Sequence, residues 1–291
     1  TVPPSLVRGV WQAWRWFRRE RPAAVAGFGG YPAFPALAAA GLTGTPRLIH
    51  EQNGVLGRVN RLFARRVDMV ACGTWPLVSA PKGARLERVG NPVRPAVQPA
   101  AYALPGETVN LLVFGGSQGA SVFARVVPPA LATLDPALRG RLRVVQQARE
   151  GEVAGVEAAL ADAGIAAEVA PFFADMPARL AAAHLVIARA GASTVAELTA
   201  VGRPSFLVPY PAAMDDHQTA NATALAEAGG ALVLREAALT AEGLAVHLSR
   251  LLGDGAALAR MAEAAQRVAA PEAAATLAGM VERLAGRKTK R

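Results

Sequence analysis

Two glycine-rich segments combine residue types and spacing suited to binding phosphate. Residues 115–120 (Gly-Gly-Ser-Gln-Gly-Ala) follow an apolar run at residues 109–114 and precede a helical pattern. Residues 190–194 (Ala-Gly-Ala-Ser-Thr) follow a second apolar run at residues 185–188. Glycine lets a ligand approach the backbone closely, and the free N–H groups at a helix N-terminus attract anions. Two such turns in one domain can converge on one diphosphate, although a purely structural tight turn is the competing interpretation.

The first turn matches neither of two common nucleotide-binding patterns. A dinucleotide site requires Gly-x-Gly-x-x-Gly and an acidic residue at the end of the next strand, but that strand ends at Gln146 and Gln147. The Gly-Lys-Ser/Thr of a P-loop is also missing. Two interpretations of this turn therefore remain: a phosphate-binding turn of another kind, and a purely structural tight turn.

Thr194 and Glu197 allow two interpretations of the second turn. Their spacing is that of a capping box, in which each side chain satisfies a backbone N–H of the same helix start. A carboxylate near the start of a helix that faces a nucleotide can instead accept hydrogen bonds from ribose hydroxyls. Both interpretations place a helix start here.

Polar side chains also follow other apolar runs. Residues 50–54 (His-Glu-Gln-Asn-Gly) follow one run, and residues 215–218 (Asp-Asp-His-Gln) lie beyond another. Ligands of open α/β sheets bind at the carboxyl ends of strands, so these residues are site candidates. A metal is not expected at residues 215–217, because adjacent carboxylates diverge and no partner at ligand spacing is present.

The segments that must position these residues alternate between short apolar runs and Ala/Leu-rich helical stretches from Pro22 onward. This alternation predicts an α/β protein with parallel strands covered on both faces. The proline-rich residues 93–106 suit a connector between two domains. The predicted strands are residues 23–26, 47–50, 67–71, 109–114, 142–146, 185–188 and 205–208.

Composition narrows the class of protein and its partners. The chain has 291 residues, a net charge of +9 and a single cysteine, Cys72, which favours a reducing compartment. The positive charge favours anionic partners, but no RNA-binding or zinc-finger signature occurs, so nucleic acid is not an expected partner. No apolar stretch has the length of a membrane span.

The first 22 residues form a separate amphipathic pattern. On a helical wheel Val7, Val10, Trp11, Trp14 and Phe17 share one stripe, with arginines on its flank and Trp16 pointing elsewhere. The stripe either packs on the protein or lies in part at an anionic bilayer surface.

Taken together, six ordered motifs resemble the family of lipid-linked peptidoglycan N-acetylglucosaminyltransferases over nearly the whole chain. These enzymes have the GT-B fold, which implies two Rossmann-like domains with mostly parallel sheets facing a cleft. The motifs are Gly-Phe-Gly-Gly-Tyr at 27–31, His-Glu-Gln-Asn-Gly at 50–54, Gly-Asn-Pro-Val-Arg at 90–94, the turn at 115–120, Ala-Gly-Ala-Ser-Thr-Val-Ala-Glu at 190–197 and Asp-His-Gln-Thr-Ala-Asn-Ala at 216–222.

The resemblance implies inverting transfer of N-acetylglucosamine from UDP-N-acetylglucosamine to undecaprenyl-diphosphate-linked muramyl-pentapeptide, converting lipid I to lipid II without a cofactor or metal. The enzyme would lie peripherally on the cytoplasmic face of the cell membrane. His50 and Glu51 are the catalytic candidates because they are the titratable groups expected near the acceptor, although a histidine after a strand is more often a structural residue. Gln218 would bind the sugar hydroxyls. The other implied substrate-binding residues are Asn53 and Arg94, Ser117 with Ala192, Ser193, Thr194, Val195 and Ala196 at the diphosphate, Glu197 at the ribose and Phe173 at the uracil edge.

The resemblance also implies a division into domains, and the sequence departs from the family pattern in one respect. Residues 1–94 would form an acceptor and membrane-side domain, residues 95–269 the UDP-sugar domain, and residues 270–291 a helix returning to the first domain with a disordered basic tail. The family opens with a Gly-Gly-Thr-Gly-Gly-His loop that nothing before Val25 resembles, so about 70 N-terminal residues are expected to be absent and the N-terminal domain incomplete. The alternatives are another UDP-sugar enzyme of this fold, such as an epimerase or a lipid glycosyltransferase, and an inactive nucleotide- or membrane-binding remnant.

Overall fold

Parallel strands alternate with helices along the chain and form two separate sheets in the computed structural model, which describes residues 4–116 and 119–288. The strands are β1 (Val25–Gly27), β2 (Arg47–Glu51), β3 (Met69–Cys72), β4 (Leu86–Arg88), β5 (Val109–Phe114), β6 (Leu142–Gln147), β7 (Ala166–Ala170), β8 (Leu185–Ala188), β9 (Ser205–Leu207) and β10 (Ala231–Val233). The helices are α1 (Pro4–Glu20), α2 (Gly30–Leu42), α3 (Arg58–Phe63), α4 (Ser121–Ala132), α5 (Pro136–Arg141), α6 (Val153–Asp162), α7 (Met176–Ala182), α8 (Ala192–Val201), α9 (His217–Glu227), α10 (Ala241–Leu252), α11 (Gly255–Arg267) and α12 (Ala273–Lys288).

The chain divides into two units. Unit 1 consists of Thr1–Pro92 and Ala270–Arg291, and unit 2 consists of Val93–Ala269. The first division lies two residues before the predicted boundary at residue 94.

The sheet of unit 1 has the order β1-β2-β3-β4 and is covered on both faces. Successive residues of a strand point to opposite faces, so the fully buried neighbours Leu48 and Ile49 require cover on each side. Ile49 packs with side chains that include Leu37 of α2, whereas Leu48 packs beneath α12. The residues that join Leu48 in this second cluster are Ala71, Val89, Leu277, Met280 and Leu284.

The sheet of unit 2 has the order β10-β9-β8-β5-β6-β7, with every pair parallel. This is the doubly wound Rossmann arrangement, in which the chain starts at the middle strand, β5, and builds outward first to one side and then to the other. The direction of winding changes between β5 and β8. Ligands of such sheets bind at this switch point, beyond the carboxyl ends of the strands.

Arg203 ties the connector to the body of unit 2. Its side chain is almost fully buried, and burial lowers the pKa of the guanidinium. It donates hydrogen bonds to carbonyl oxygens at the ends of α7 and α8, where the helix dipoles favour a cation, and in the connector. These acceptors are Leu180, Ala181, Val201, Gly202, Ala100 and Ala101.

Helix α1 packs on α2 through only part of the predicted apolar stripe. Phe17 is buried against Ala39 and Ala40, and Gly9 allows close approach to Pro35. Val7 and Trp11 of the stripe do not share this contact, because they are 61% and 52% exposed. Among the described residues, no helix is long and apolar enough to cross a membrane.

The predicted α/β class with two parallel Rossmann-like sheets is confirmed. The predicted strands occur with bounds shifted by up to two residues, but β4, β7 and β10 were not predicted. The disordered tail was wrong at its start, since α12 continues to Lys288, and residues 289–291 lie outside the described residues.

Candidate functional site

A cavity of about 520 Å³ lies at the switch point of the unit 2 sheet. Its lining comes from the segments that follow β5, β6, β8, β9 and β10, so the sheet topology itself assembles it. The lining residues are Gly115, Gly116, Gly119, Ala120, Ser121, Val122, Arg125, Arg149, Arg189, Gly191, Thr194, Tyr210, Gln218 and Glu236.

The first glycine turn connects β5 to α4 at the cavity. A Cβ on Gly115 would lie 2.4 Å from the Ala120 nitrogen, so only glycine fits this close return of the chain. Gly116 and Gly119 have φ of 82° and 66°, which glycine adopts without strain. The Gln147 side chain accepts a hydrogen bond from the Gly115 N–H at 3.1 Å, which fixes the turn to the end of β6. Ser117, the predicted diphosphate ligand, lies outside the described residues.

The second glycine turn begins α8, whose N-cap residue is Gly191. The capping-box interpretation was wrong, because Thr194 lies within the first turn of α8 and no side chain caps this helix. Thr194 lines the cavity, and Ala192, Ser193, Val195 and Ala196 are its neighbours in the first five residues of α8. The N-terminal end of α8, with its positive dipole, therefore lies at the cavity without a competing side-chain acceptor.

Glu197 is paired with Arg94. The Arg94 side chain donates to Oε1 of Glu197 from Nη2 at 2.9 Å and from Nε at 3.1 Å. The Glu197 side chain is 13% exposed, whereas that of Arg94 is 58% exposed. Within the described part of the chain, Oε2 of Glu197 receives no hydrogen bond, so it can accept one from a ligand.

Gln218 is held at the cavity by the loop after β9. Its Oε1 accepts a hydrogen bond from the Tyr210 N–H at 2.9 Å. This contact orients the side chain and leaves its NH₂ group as a donor toward a ligand. The residues just before it, Asp215 and Asp216, have φ of 52° and 50°, and Asp216 accepts a hydrogen bond from the Thr219 hydroxyl. Within the described residues, no group of three or more potential ligands is placed to hold a metal ion.

Arg189 is a neutralised cation of the cavity wall. Its Nη1 lies 2.6 Å from Oε2 of Glu236 and donates to the carbonyls of Val208 and Pro209 at 3.2 Å and 3.3 Å. The guanidinium also lies 5.3 Å from the Tyr210 ring centroid. These contacts fix the loop after β9, whose Tyr210 N–H binds the Gln218 side chain.

Phe173 lies outside the lining of this cavity. Its ring is buried beneath the guanidinium of Arg179 at 4.3 Å, and Arg179 is held by Glu168 and Asp175. The hydrogen bond from Arg179 lowers the pKa of the Asp175 carboxyl. The main-chain N–H and C=O of Phe173 make no hydrogen bond within the described residues. Both groups can therefore form hydrogen bonds with the polar edge of a ligand.

His50, Glu51 and Asn53 belong to unit 1 and form a buried polar network. The ring nitrogens of His50 contact the Gly90 carbonyl at 3.0 Å and the Gln52 amide at 3.2 Å. Burial lowers the pKa of His50, opposed in part by the Gly90 hydrogen bond and the Glu51 charge.

The Glu51 carboxylate organises the loop that follows β2. It accepts hydrogen bonds from the backbone N–H and side chain of Asn53, from the Gly57 N–H and from the Asn60 side chain. Glu51 is 2% exposed. These contacts indicate that the Glu51 carboxylate holds the loop after β2 in place.

Sequence reasoning missed the arginines of the cavity. Arg125, Arg149 and Arg189 belong to no recognised motif, and single arginines in a basic protein carry no positional signal. The only available signal was that Arg149 and Arg189 each lie just beyond the end of an apolar run.

A glycine turn and a second helix start thus lie at the switch point of a Rossmann-like sheet, which is where doubly wound α/β proteins bind their ligands. The profile of the glycosyltransferase family 28 C-terminal domain matches residues 110–277, and that of the N-terminal domain matches residues 1–72. The chain belongs to glycosyltransferase family 28, and it is a glycosyltransferase with the GT-B fold.

This chain covers most of the length of the named relatives that it matches. A protein of Sinorhizobium fredii is 50% identical over 298 residues, which include 99% of this chain and 80% of that protein. A protein of Rhodospirillum centenum is 52% identical over 286 residues, or 96% of this chain and 75% of that protein. Both are named UDP-N-acetylglucosamine--N-acetylmuramyl-(pentapeptide) pyrophosphoryl-undecaprenol N-acetylglucosamine transferase.

Solved structures agree with the fold. MurG of Acinetobacter baumannii has a TM-score of 0.82 and 34% identity, covering 97% of this chain and 81% of that one. A putative UDP-N-acetylglucosamine 2-epimerase of Listeria monocytogenes has a TM-score of 0.66 and 16% identity, covering 95% of this chain and 78% of that one. The second likeness concerns the fold alone.

Proposed function

We propose that this protein transfers N-acetylglucosamine from UDP-N-acetylglucosamine to undecaprenyl-diphosphate-linked muramyl-pentapeptide, forming lipid II from lipid I. The observation that carries the proposal is the cavity at the switch point, where the start of α8, which no side chain caps, lies beside a glycine turn and can offer backbone N–H groups to a diphosphate. The names of relatives at about half identity over nearly the whole chain support the same reaction.

In this proposal unit 2 binds the donor. Glu197 accepts hydrogen bonds from the ribose, the main chain of Phe173 contacts the uracil edge, and Gln218 donates to the sugar. Arg94 orients Glu197, and Asn53 is a further substrate-binding residue. The diphosphate ligands are Ser117, Ala192, Ser193, Thr194, Val195 and Ala196.

The chemistry is a single inverting displacement. The acceptor hydroxyl oxygen forms a bond to the anomeric carbon as the bond from that carbon to the β-phosphate oxygen breaks, and UDP leaves with the electron pair. A base takes the proton of the hydroxyl, and helix N-termini stabilise the charge on UDP. No covalent intermediate, metal or cofactor is required.

The contacts of His50 and Glu51 favour positioning roles over the catalytic roles expected from the sequence. Each polar atom of the Glu51 carboxylate is engaged with the loop that carries Asn53, and both side chains are nearly fully buried. A base must reach the acceptor hydroxyl within hydrogen-bond distance. We assign these two residues to shaping the loop after β2.

Unit 1 is the acceptor and membrane side in this proposal. Helix α1 exposes Val7, Trp11 and Trp16 beside Arg15, whose guanidinium lies 4.9 Å from the Trp11 ring centroid. Exposed aromatic rings flanked by arginines suit the interface of an anionic membrane. The protein would thus lie peripherally on the cytoplasmic face, where its lipid acceptor is presented.

Transfer of labelled N-acetylglucosamine to a short-chain lipid I analogue tests the proposal. Wild-type protein should form the disaccharide lipid and release UDP in equal amounts, and Glu197→Ala should reduce both. Conversion of the donor to its 2-epimer without acceptor would instead favour the epimerase alternative. Binding of UDP without sugar transfer and without epimerisation would instead favour an inactive nucleotide-binding remnant.

A further inference from the structure

Two arginines without any motif-assigned role flank the glycine turn of the cavity. Arg125 lies on α4, one helical turn beyond Ser121, and Arg149 follows β6. Both line the cavity, and both are exposed to solvent. Their guanidinium groups are therefore accessible to a ligand that enters it.

Arg149 is anchored directly against the turn. Its Cγ lies 3.2 Å from the position that a Cβ on Gly119 would occupy, so the absence of a side chain at Gly119 makes room for the arginine stem. The backbone N–H of Arg149 is fixed by the Glu152 carboxylate at 3.3 Å. The start of this side chain is thus held beside the turn, and its charged end is free.

The charges of the cavity do not cancel. Glu236 is the carboxylate among the described lining residues, and its charge is already paired with Arg189 at 2.6 Å. Neither Arg125 nor Arg149 has an ion pair within the part of the chain that the structure describes. The described lining therefore includes two arginines whose guanidinium groups have no ion pair, while the ligands assigned from motifs supply only neutral side chains and backbone N–H groups to a dianionic diphosphate.

We infer that Arg125 and Arg149 form a cation pair that binds the diphosphate of the nucleotide sugar and stabilises it as the leaving group. The inference rests on the proposed function. As the bond from the anomeric carbon to the β-phosphate oxygen breaks, the electron pair remains on the diphosphate, and its negative charge increases next to these guanidinium groups. A guanidinium matches two phosphate oxygens at once, which a single ammonium group does not.

Binding of UDP and of uridine, measured by calorimetry at low and high salt, separates this role from a structural one. The variants are Arg125→Gln, Arg149→Gln, the double variant, the corresponding lysine variants and Arg260→Gln, an exposed arginine of α11 outside the cavity. Loss of a charge-assisted hydrogen bond should weaken UDP binding by about 10- to 100-fold for the double glutamine variant. Uridine binding should not change, and the salt dependence of UDP binding should decrease.

Steady-state kinetics provide the second measurement. The double glutamine variant should lower kcat as well as raise KM for the donor, because the pair acts on charge that develops in the transition state. Lysine at both positions should restore part of each parameter, and Arg260→Gln should match the wild type.

The outcomes distinguish this inference from the proposed function. If wild-type protein binds UDP and transfers the sugar while the double glutamine variant matches Arg260→Gln, the arginine pair is excluded and the function stands. If wild-type protein binds neither UDP nor the sugar nucleotide, the proposed function fails, and the pair with it. An equal loss of uridine and UDP binding would indicate a structural effect and overturn the charge role.

Discussion

Arg94 contacts a single oxygen of the Glu197 carboxylate, with Nη2 and Nε at 2.9 Å and 3.1 Å from Oε1. The other oxygen, Oε2, has no hydrogen bond within the described residues. The pair therefore orients the carboxylate without saturating it. Oε2 can accept a hydrogen bond from a ribose hydroxyl while Arg94 stays in place.

Glu197→Ala should weaken UDP binding by about 10- to 100-fold, because hydrogen bonds to a charged acceptor are lost. Arg94→Ala should have a smaller effect of about two- to fivefold, as expected of an exposed ion pair that only orients the acid. Calorimetry with UDP and its 2′,3′-dideoxy analogue checks this. If Glu197→Ala weakens the binding of both nucleotides equally, Glu197 does not contact the ribose.

Gly115→Ala should abolish tight UDP binding, with a loss of at least about tenfold, since its Cβ would lie 2.4 Å from the Ala120 nitrogen and displace the turn. Gly155→Ala is the matched control. Gly155 lies within α6 with nothing within 4 Å of the added Cβ, so alanine should stabilise the helix by about 0.5–1 kcal/mol. UDP titration and urea unfolding measure the two effects, and unchanged UDP binding by Gly155→Ala is required.

His184 should make the stability of the protein fall in mild acid. Its Nδ1 accepts the Asn110 N–H at 2.8 Å, which requires the neutral ring, and burial together with Arg203 lowers its pKa. The unfolded chain thus takes up a proton near pH 6.5 that the folded state resists, and the unfolding free energy decreases as pH falls below this value.

Urea unfolding between neutral pH and about pH 5 tests this dependence. His184→Asn keeps an acceptor but cannot titrate, so its stability should fall less steeply with pH than that of the wild type. His50, whose pKa is also lowered by burial, contributes in the same direction in both proteins. Parallel curves for the two proteins would contradict the assignment.

Arg203→Met should destabilise unit 2 by about 3–5 kcal/mol, because several buried carbonyls at the ends of α7 and α8 lose their donor together. Arg203→Lys should recover only part of the loss, since an ammonium group has three donors and no planar fork. Denaturant unfolding monitors both variants. A loss below about 1 kcal/mol for Arg203→Met would show that water replaces the guanidinium.

Trp11→Glu should reduce binding to anionic lipid vesicles by at least about tenfold, because it removes an aromatic ring and adds charge to the exposed face of α1. Val246→Glu is the control, since Val246 is an exposed apolar residue of α10 in unit 2. Vesicle co-sedimentation measures both variants. Equal vesicle binding by the two variants would show that the exposed face of α1 is not the membrane contact.

The central strands could be predicted from sequence because burial on both faces leaves continuous apolar runs. Val109–Phe114 and Leu185–Ala188 have the predicted bounds for this reason. Strand β7 (Ala166–Ala170) is an edge strand whose first three residues are exposed, so alanine and glutamate gave no apolar signal. Strands β4 and β10 have three residues each, too few to show a period.

The site was predictable where backbone geometry defines it and not where isolated charges do. Gly115 and Gly191 are placed by local sequence, since glycine after a buried strand indicates a turn. The pairing of Glu197 with Arg94 joins residues 103 positions apart, so local spacing left a capping box and a ligand contact equally open for Glu197. Arg149 reaches the cavity only because β6 lies beside β5 in the sheet.

The return of α12 to the first sheet has a consequence for biosynthesis. Leu48, Ala71 and Val89 are translated before unit 2, but the side chains that cover them, Leu277, Met280 and Leu284, are translated after it. Domains generally fold as they emerge from the ribosome, so unit 2 can complete its core while one face of the unit 1 sheet is still bare. A ribosome that stops before α12 would release a chain with a folded unit 2 and an aggregation-prone apolar face on the unit 1 sheet.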